Sequence, residues 1–301
     1  MSRHVLVTGA ASGIGLEVAR RFAALGDRVT LVDHRAEALE VAAVSVGAAA
    51  AGSGAAGSVG AVGAVGSAGA VGSAGSAGAV GSAGSAGSAD ACVGTLVADL
   101  RDPDAPSRVV TEAWALAPVD VLVNAAGVYP ATPFLELDAA TWDAVQDVNV
   151  RAPLLATVTL GRLATAAGGT PSVVNITSGA ALRARPGAAP YSTSKAALEM
   201  VTRASALELG AAGIRVNAVA PGFVVVDSAV NRVSEEYAAA VSPNPLGRTG
   251  EPSDIAKAVV WLADPEQSGW VTGTILRVDG GSSTGAHTLP LSTAPREDVT
   301  A

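Results

Sequence analysis

Tyr191-Ser192-Thr193-Ser194-Lys195 places a phenol and an ammonium four residues apart at the start of a helical stretch, hence on one face of that helix. A phenol titrates near pH 10 and is a poor acid–base group at neutral pH, but an adjacent cation favours the phenolate. Lowering its pKa by about three units requires ~4 kcal/mol of differential stabilisation, much of which an ammonium in a partly dry pocket can supply. Tyr-x-x-x-Lys also occurs as an ordinary surface pair. Here it has company. Ser178 lies thirteen residues upstream, at the end of the apolar run Val173-Val174-Asn175-Ile176-Thr177. Asn124 opens Asn124-Ala125-Ala126-Gly127 at the end of another run, and Asn149 sits in Asp147-Val148-Asn149-Val150.

A second set lies near the N-terminus. Thr8-Gly9-Ala10-Ala11-Ser12-Gly13-Ile14-Gly15 joins an apolar run to a helical stretch. Backbone N–H groups and the helix dipole at such a junction favour a pyrophosphate, and glycine permits its close approach. A glycine-rich turn alone is weak evidence, and its place in the first βαβ unit strengthens it. Asp33 ends the second run, 18 residues after Gly15. A carboxylate there can accept hydrogen bonds from both adenosine ribose hydroxyls while repelling a 2′-phosphate, which favours NAD over NADP. Asp33 could instead merely start the turn into the next helix. Arg35 pulls the other way, because a nearby guanidinium can hold a 2′-phosphate.

The elements that must position these groups follow from periodicity. Strands are expected at Val5–Thr8, Val29–Asp33, Thr95–Ala98, Val119–Asn124, Ser172–Thr177, Arg215–Ala220 and Thr274–Val278. Helices are expected at Ile14–Leu25, Glu37–Val46, Pro106–Ala115, Trp142–Ala167 (bent or restarted near Pro153), Ser192–Leu209 and Ser253–Leu262. Near-continuous Val/Leu/Ile strands alternating with helices imply βαβ units and a parallel sheet covered on both faces. The fold class is therefore α/β, a single Rossmann-type doubly wound parallel sheet spanning residues 1–285.

Together with Pro221-Gly222 and Asp279-Gly280-Gly281, these motifs resemble, in order and spacing, the short-chain dehydrogenase/reductase family. The resemblance runs from Val5 to about Gly285, apart from one insertion. It implies that Tyr191 is the general acid–base. Lys195 would lower the Tyr191 pKa and bind the nicotinamide ribose, Ser178 would hydrogen-bond the substrate oxygen, and Asn149 would hold a proton-relay water near Lys195. Asp99 would contact the adenine amino group, and Asn124 would steady the central strands and line the cofactor groove. The other groove residues would be Gly9, Ser12, Gly13, Ile14 and Gly15 on the first turn, with Asp33, Leu100, Pro221 and Val224 further along. One departure stands out: where the family often has a Thr four positions after the Gly of Pro-Gly, this chain has Val226.

The insertion is unlike the rest. From Gly47 to Ala89 every residue is Gly, Ala, Ser or Val, with Gly at every third position from Gly54 to Gly87. Collagen shares the period but depends on proline, and a membrane helix would not carry a third of its residues as Gly, at ~1 kcal/mol each against helix formation. A disordered low-complexity insertion is expected, at the helix-to-strand edge far from Ser178 and Tyr191. A disordered tail is expected over 286–301.

Composition narrows the classes. Hydrophobic residues make up 49% of the chain and aromatics 3%, so Ala, Val and Leu must fill the core. The 27 acidic residues exceed the 19 basic ones without a Lys/Arg cluster, which argues against nucleic acid. The single cysteine, Cys92, excludes an internal disulfide and fits a reducing cytoplasm, and the N-terminus carries no signal-like stretch. His4, His34 and His287 have no metal spacing. Arg183 and Arg185 could clamp an anionic substrate or remain solvated, and Asp227 to Val241 is the expected substrate lid. The expected function is NAD-dependent dehydrogenation of a secondary alcohol in a homotetramer or homodimer. The alternatives are an NADPH-dependent 3-oxoacyl-thioester reductase and a nucleotide-binding protein without turnover.

Overall fold

The computed structural model describes residues 2–52, 93–226 and 243–285. Cys92, the lid segment from Asp227 to Val241, His287, the tail and residues 53–89 of the insertion lie outside the described residues.

Seven strands form one parallel sheet: β1 His4–Thr8, β2 Arg28–Asp33, β3 Val93–Val97, β4 Val121–Asn124, β5 Ser172–Ile176, β6 Arg215–Pro221 and β7 Ile275–Val278. Their spatial order is β3-β2-β1-β4-β5-β6-β7. All residues of β1, β4 and β5 are buried, as their unbroken Val/Leu character requires when helices cover both faces. Helices α1 (Gly13–Ala24), α2 (Ala36–Gly52) and α7 (Pro252–Ala263) pack on one face around Phe22, Leu31 and Ile255. Helices α3 (Ala105–Leu116), α5 (Ala152–Ala167) and α6 (Ala189–Leu209) cover the other around Leu122, Leu160 and Val216. The short helices α4 (Ala139–Gln146) and α8 (Pro265–Ser268) complete the described set. The strand order reverses at β1, which β2 and β4 flank. A doubly wound sheet opens a crevice at that point, outside the carboxyl ends of the strands.

Two expected bounds shift in ways that matter for the fold. Helix α2 does not stop at Val46 but runs through Gly52. The added residues are mostly alanine, the strongest helix former, and Ala50 is 1% exposed against the core. The first six residues assigned to a disordered insertion, 47–52, therefore belong to the fold. Strand β3 starts at Val93, two residues before the expected Thr95, because its register with β2 pairs Val29 with Val93. The stretch Trp142–Ala167 restarts near Pro153, as expected: α4 ends at Gln146 and α5 begins at Ala152. Helices α4 and α5 are joined by a π-helical turn at Asp147–Arg151. Pro153 follows within two residues; it has no N–H to give to the Asn149 carbonyl, its α-helical partner four residues back.

His4 is structural, as expected. Its buried ring bonds Ala117 O at 2.9 Å and Thr30 Oγ1 at 2.8 Å, and burial lowers its pKa.

Candidate active site

The first βα turn is shaped by close approach. Gly9 has φ +67°, and a Cβ there would sit 2.7 Å from Ala126 Cα. A Cβ on Gly15 would sit 2.3 Å from Gly9 O, so the turn tolerates no side chain at either place. Thr8 Oγ1 accepts from both Ala125 N and Ala126 N at 3.2 Å, which fastens the Asn124–Gly127 turn to the end of β1. Ser12 is the N-cap of α1, yet its side chain makes no capping bond; its Oγ accepts instead from Arg35 Nη2 at 2.9 Å. The first-turn amides at Gly13, Ile14 and Gly15 thus have no side-chain cap, and the helix N-terminus suits a pyrophosphate. Val226, in place of the expected Thr, reaches this turn: its Cγ1 lies 3.3 Å from where a Gly13 Cβ would be.

Asp33 and Arg35 are partners. Asp33 Oδ1 accepts from Arg35 N and Nε, both at 3.1 Å, and Oδ2 accepts from Ala11 N at 3.3 Å. Burial pushes the carboxyl pKa up, but the hydrogen bonds from Arg35 outweigh it and hold it below the ordinary value. The guanidinium spans Asp33 and Ser12. Asp99 is part-exposed and forked by Arg101, at 2.6 Å from Nη2 to Oδ2, which lowers its pKa; Leu100 beside it is buried. Pro221 ends β6, and Val224 bridges to Gly250. These groove residues lie along the carboxyl ends of β1, β2, β3, β4 and β6.

The reacting groups gather at the ends of β4 and β5. Asn124 Nδ2 donates to Asn175 Oδ1, and Asn175 Nδ2 donates to Thr202 Oγ1, each at 2.9 Å and fully buried, so α6 is bonded to the sheet. Helix α6 starts at Ala189 with Pro190 in its first turn, where a missing N–H does no harm. Tyr191 and Lys195 then share a face, with Lys195 Nζ 5.7 Å from the Tyr191 ring centroid. Lys195 Nζ donates to Ile176 O at 2.9 Å. Burial lowers the Lys195 pKa to about 8, and the ammonium has no carboxylate partner among the described residues. Ser178 Oγ accepts from Ala180 N at 3.1 Å, which leaves its own O–H to donate elsewhere.

Burial raises the Tyr191 pKa, against smaller downward pulls from the Ser178 hydroxyl and the Arg185 charge. Asn149 is fully buried beside Lys195, but its side chain is committed. Oδ1 accepts from Val128 N at 2.9 Å, and Nδ2 donates to Val128 O at 2.9 Å and to Ser194 Oγ at 3.0 Å.

Sequence reasoning missed Gly127, Tyr129 and Ser194. A Cβ on Gly127 would sit 3.4 Å from Lys195 Nζ and 3.5 Å from Asn149 Oδ1, so glycine leaves room for both. Ser194 Oγ donates to Tyr191 O at 2.7 Å and accepts from Asn149, tying the start of α6 to the π turn. Its place inside Tyr191–Lys195 was the available signal. Nothing in the sequence pattern marks Tyr129.

A doubly wound sheet with an uncapped glycine turn, and half-buried Ser178 and Tyr191 beside buried Lys195 at the same edge, defines a dinucleotide-dependent oxidoreductase. The family profile described as enoyl-(acyl carrier protein) reductase matches residues 47–283, and that described as short chain dehydrogenase matches residues 3–65. The chain belongs to the short-chain dehydrogenase/reductase family. It is 38% identical over 279 residues to galactitol 2-dehydrogenase (L-tagatose-forming) of Cereibacter sphaeroides, covering 91% of this chain and 92% of that one. It is 36% identical over 163 residues to a 3-oxoacyl-[acyl-carrier-protein] reductase of Synechocystis sp., covering 54% and 64%. A blue fluorescent protein from a metagenomic library, solved in complex with NADPH, superposes with a TM-score of 0.73 at 30% identity, covering 93% of this chain and 98% of that one. The protein is thus an NAD(P)-dependent oxidoreductase that moves a hydride between the nicotinamide and an alcohol or ketone carbon. Among the described residues, no helix is long and apolar enough to cross a membrane.

The buried ammonium sets a stability test. Below about pH 8 the folded, cofactor-free protein bears the full penalty of a charged Lys195. Between about pH 8 and 10.5 the unfolded chain holds a proton that the folded chain has lost, so this contribution to stability rises with pH. Lys195→Met should stabilise the cofactor-free protein at pH 7 by about 2 kcal/mol, a shift of roughly 2.5 pKa units less about one hydrogen bond. Thermal unfolding from pH 7 to pH 10 checks this: the gain should shrink as pH rises, and a loss of Tm at pH 7 would contradict it.

Proposed function

We propose that the protein is an NAD-dependent dehydrogenase of secondary alcohols in which Tyr191 is the general acid–base, with Ser178, Lys195 and Asn149 as its partners. The observation that carries this reading is the buried Lys195 ammonium, kept beside a phenol with no carboxylate among the described residues to offset it. Such an arrangement works against stability and is understood where the charge is wanted for chemistry.

The bound nicotinamide supplies the hydride acceptor or donor. Residues 9–15 would hold its pyrophosphate, Asp33 the adenosine ribose and Lys195 the nicotinamide ribose. Ser178, oriented by the Ala180 N–H, donates to the substrate oxygen. Tyr191 takes the hydroxyl proton of the alcohol, or returns it to a ketone. Lys195 stabilises the phenolate form and passes the proton to a water at the Asn149 carbonyl. Arg185 lies within electrostatic reach and favours the same phenolate.

A second reading has a specific observation behind it. Arg35 spans Asp33 and Ser12, where a guanidinium could bind a 2′-phosphate, as an NADPH-dependent 3-oxoacyl-thioester reductase would need. The NAD reading rests on Asp33 keeping its charge and repelling that phosphate.

Assembly follows from the same helices. Leu154 on α5 and Met200 and Leu207 on α6 are exposed in the single chain, which suits burial between copies in a homotetramer. The surroundings we assign are cytoplasmic.

Tyr191→Phe should lower turnover by roughly 10²–10⁴-fold while cofactor binding survives, since the phenol acts on the substrate oxygen. Near-normal turnover in a steady-state assay would remove Tyr191 from the mechanism. Fluorescence titration should show NADH bound more tightly than NADPH, with Asp33→Ala weakening NADH and sparing or improving NADPH. The reverse order in the unmodified protein would put the oxoacyl reductase reading first. Light scattering at micromolar concentration should give the mass of four chains, or failing that two, and a monomer would contradict the assembly.

A further inference from the structure

The connection from β4 to α4 brings a second phenol to the first. The Asn149 amide grips both the N–H and the C=O of Val128, so the backbone there is held as firmly as in a strand pair. Tyr129 comes next, and its ring centroid lies 5.6 Å from that of Tyr191 at an interplanar angle of 55°. This is within the range of favourable aromatic pairs. Tyr129 is 37% exposed, so part of it remains open beside the reacting hydroxyl.

The neighbouring surface has the same character. Val128, Phe134 and Leu135 on this connection are exposed, as is Leu182 on the connection between Ser178 and Tyr191. Thr132 N donates to Gly187 O at 3.0 Å and joins the two connections. From Ala125 to Leu135 and from Gly179 to Leu182, no residue carries a carboxylate, amide or cationic side chain; the next cations on the second connection are Arg183, which donates to Ser282 O at 3.0 Å, and Arg185, whose charge acts on Tyr191. A polyol requires a hydrogen-bond partner for each buried hydroxyl, whereas an aryl or alkyl group requires only contact area.

We infer that Tyr129 is a specificity-determining residue: its ring forms the wall of the substrate site beside Tyr191 and selects a carbinol carbon bearing an apolar, preferably aromatic, substituent. The inference rests on Tyr191 being the acid–base and names the substrate class of that same site. It separates this chain from what the name of its galactitol-oxidising relative would suggest.

Steady-state kinetics with 1-phenylethanol and galactitol, each with NAD and with NADP, test it. The unmodified protein should favour 1-phenylethanol in kcat/KM. Tyr129→Ala should lower kcat/KM for that alcohol by about 3- to 10-fold, the scale of one aromatic pair, and chiefly through KM. Tyr129→Phe, which keeps the ring, should restore it, and NADH fluorescence reports that each variant is folded. A preference for galactitol overturns the inference, as does a Tyr129→Ala variant with unchanged kcat/KM or a Tyr129→Phe variant as impaired as the alanine. In each of those cases the loss of turnover in Tyr191→Phe still stands for the proposed function. If the unmodified protein oxidises neither alcohol with either cofactor, the proposed function falls and the inference falls with it.

Discussion

Asn124 donates to Asn175, and Asn175 donates in turn to Thr202, through three buried side chains that run from β4 across β5 into α6. The Thr202 hydroxyl closes the relay on Leu198 O within its own helix. A buried polar chain of this kind is highly specific, because any slip leaves an unsatisfied group in a low-dielectric interior. Apolar packing alone would let α6 slide by a fraction of a turn over a surface of Ala and Val. The relay removes that freedom. Tyr191 and Lys195 ride on α6, Ser178 follows β5 and Gly127 follows β4, so the position of every reacting group relative to the others depends on it.

A second polar fastening holds the start of α6. The π turn at Asp147–Arg151 directs Asn149 into the interior, where its amide saturates Val128 and reaches Ser194. One residue thereby locates the loop before α4 and the first turn of α6.

The charges of the site are arranged against stability. Among the described residues Lys195 is buried with a backbone carbonyl rather than a carboxylate, and half-buried Tyr191 has its neutral form favoured. At the nucleotide end the opposite holds: Asp33 and Arg35 satisfy one another, and the acid remains ionised despite its burial. The two ends of the groove thus differ in how their charges are satisfied.

Much of this was legible in the residue order. Continuous Val/Leu strands between amphipathic stretches require a covered parallel sheet, and the turn Gly9–Gly15 and the spacing of Ser178, Tyr191 and Lys195 are local features that survive without coordinates. The six-residue extension of α2 was missed because the alanines that form it merge with the Gly/Ala/Ser/Val run that follows, and composition cannot locate a helix end inside such a run. Competition between Asp33 and Arg35, an either-or in sequence, becomes an ion pair once both lie at one strand end. Side-chain commitment is invisible in one dimension: Asn149 spends its amide on residues 21 and 45 positions away. Tyr129 meets Tyr191 across 62 residues of chain through a loop with no periodicity. Pattern in the sequence determined which elements form and which chemistry they bear, because burial and periodicity act along the chain. Which hydrogen bonds each polar group spends, and hence which atoms remain for substrate and proton, was decided only in the fold, because those partners are brought together by packing.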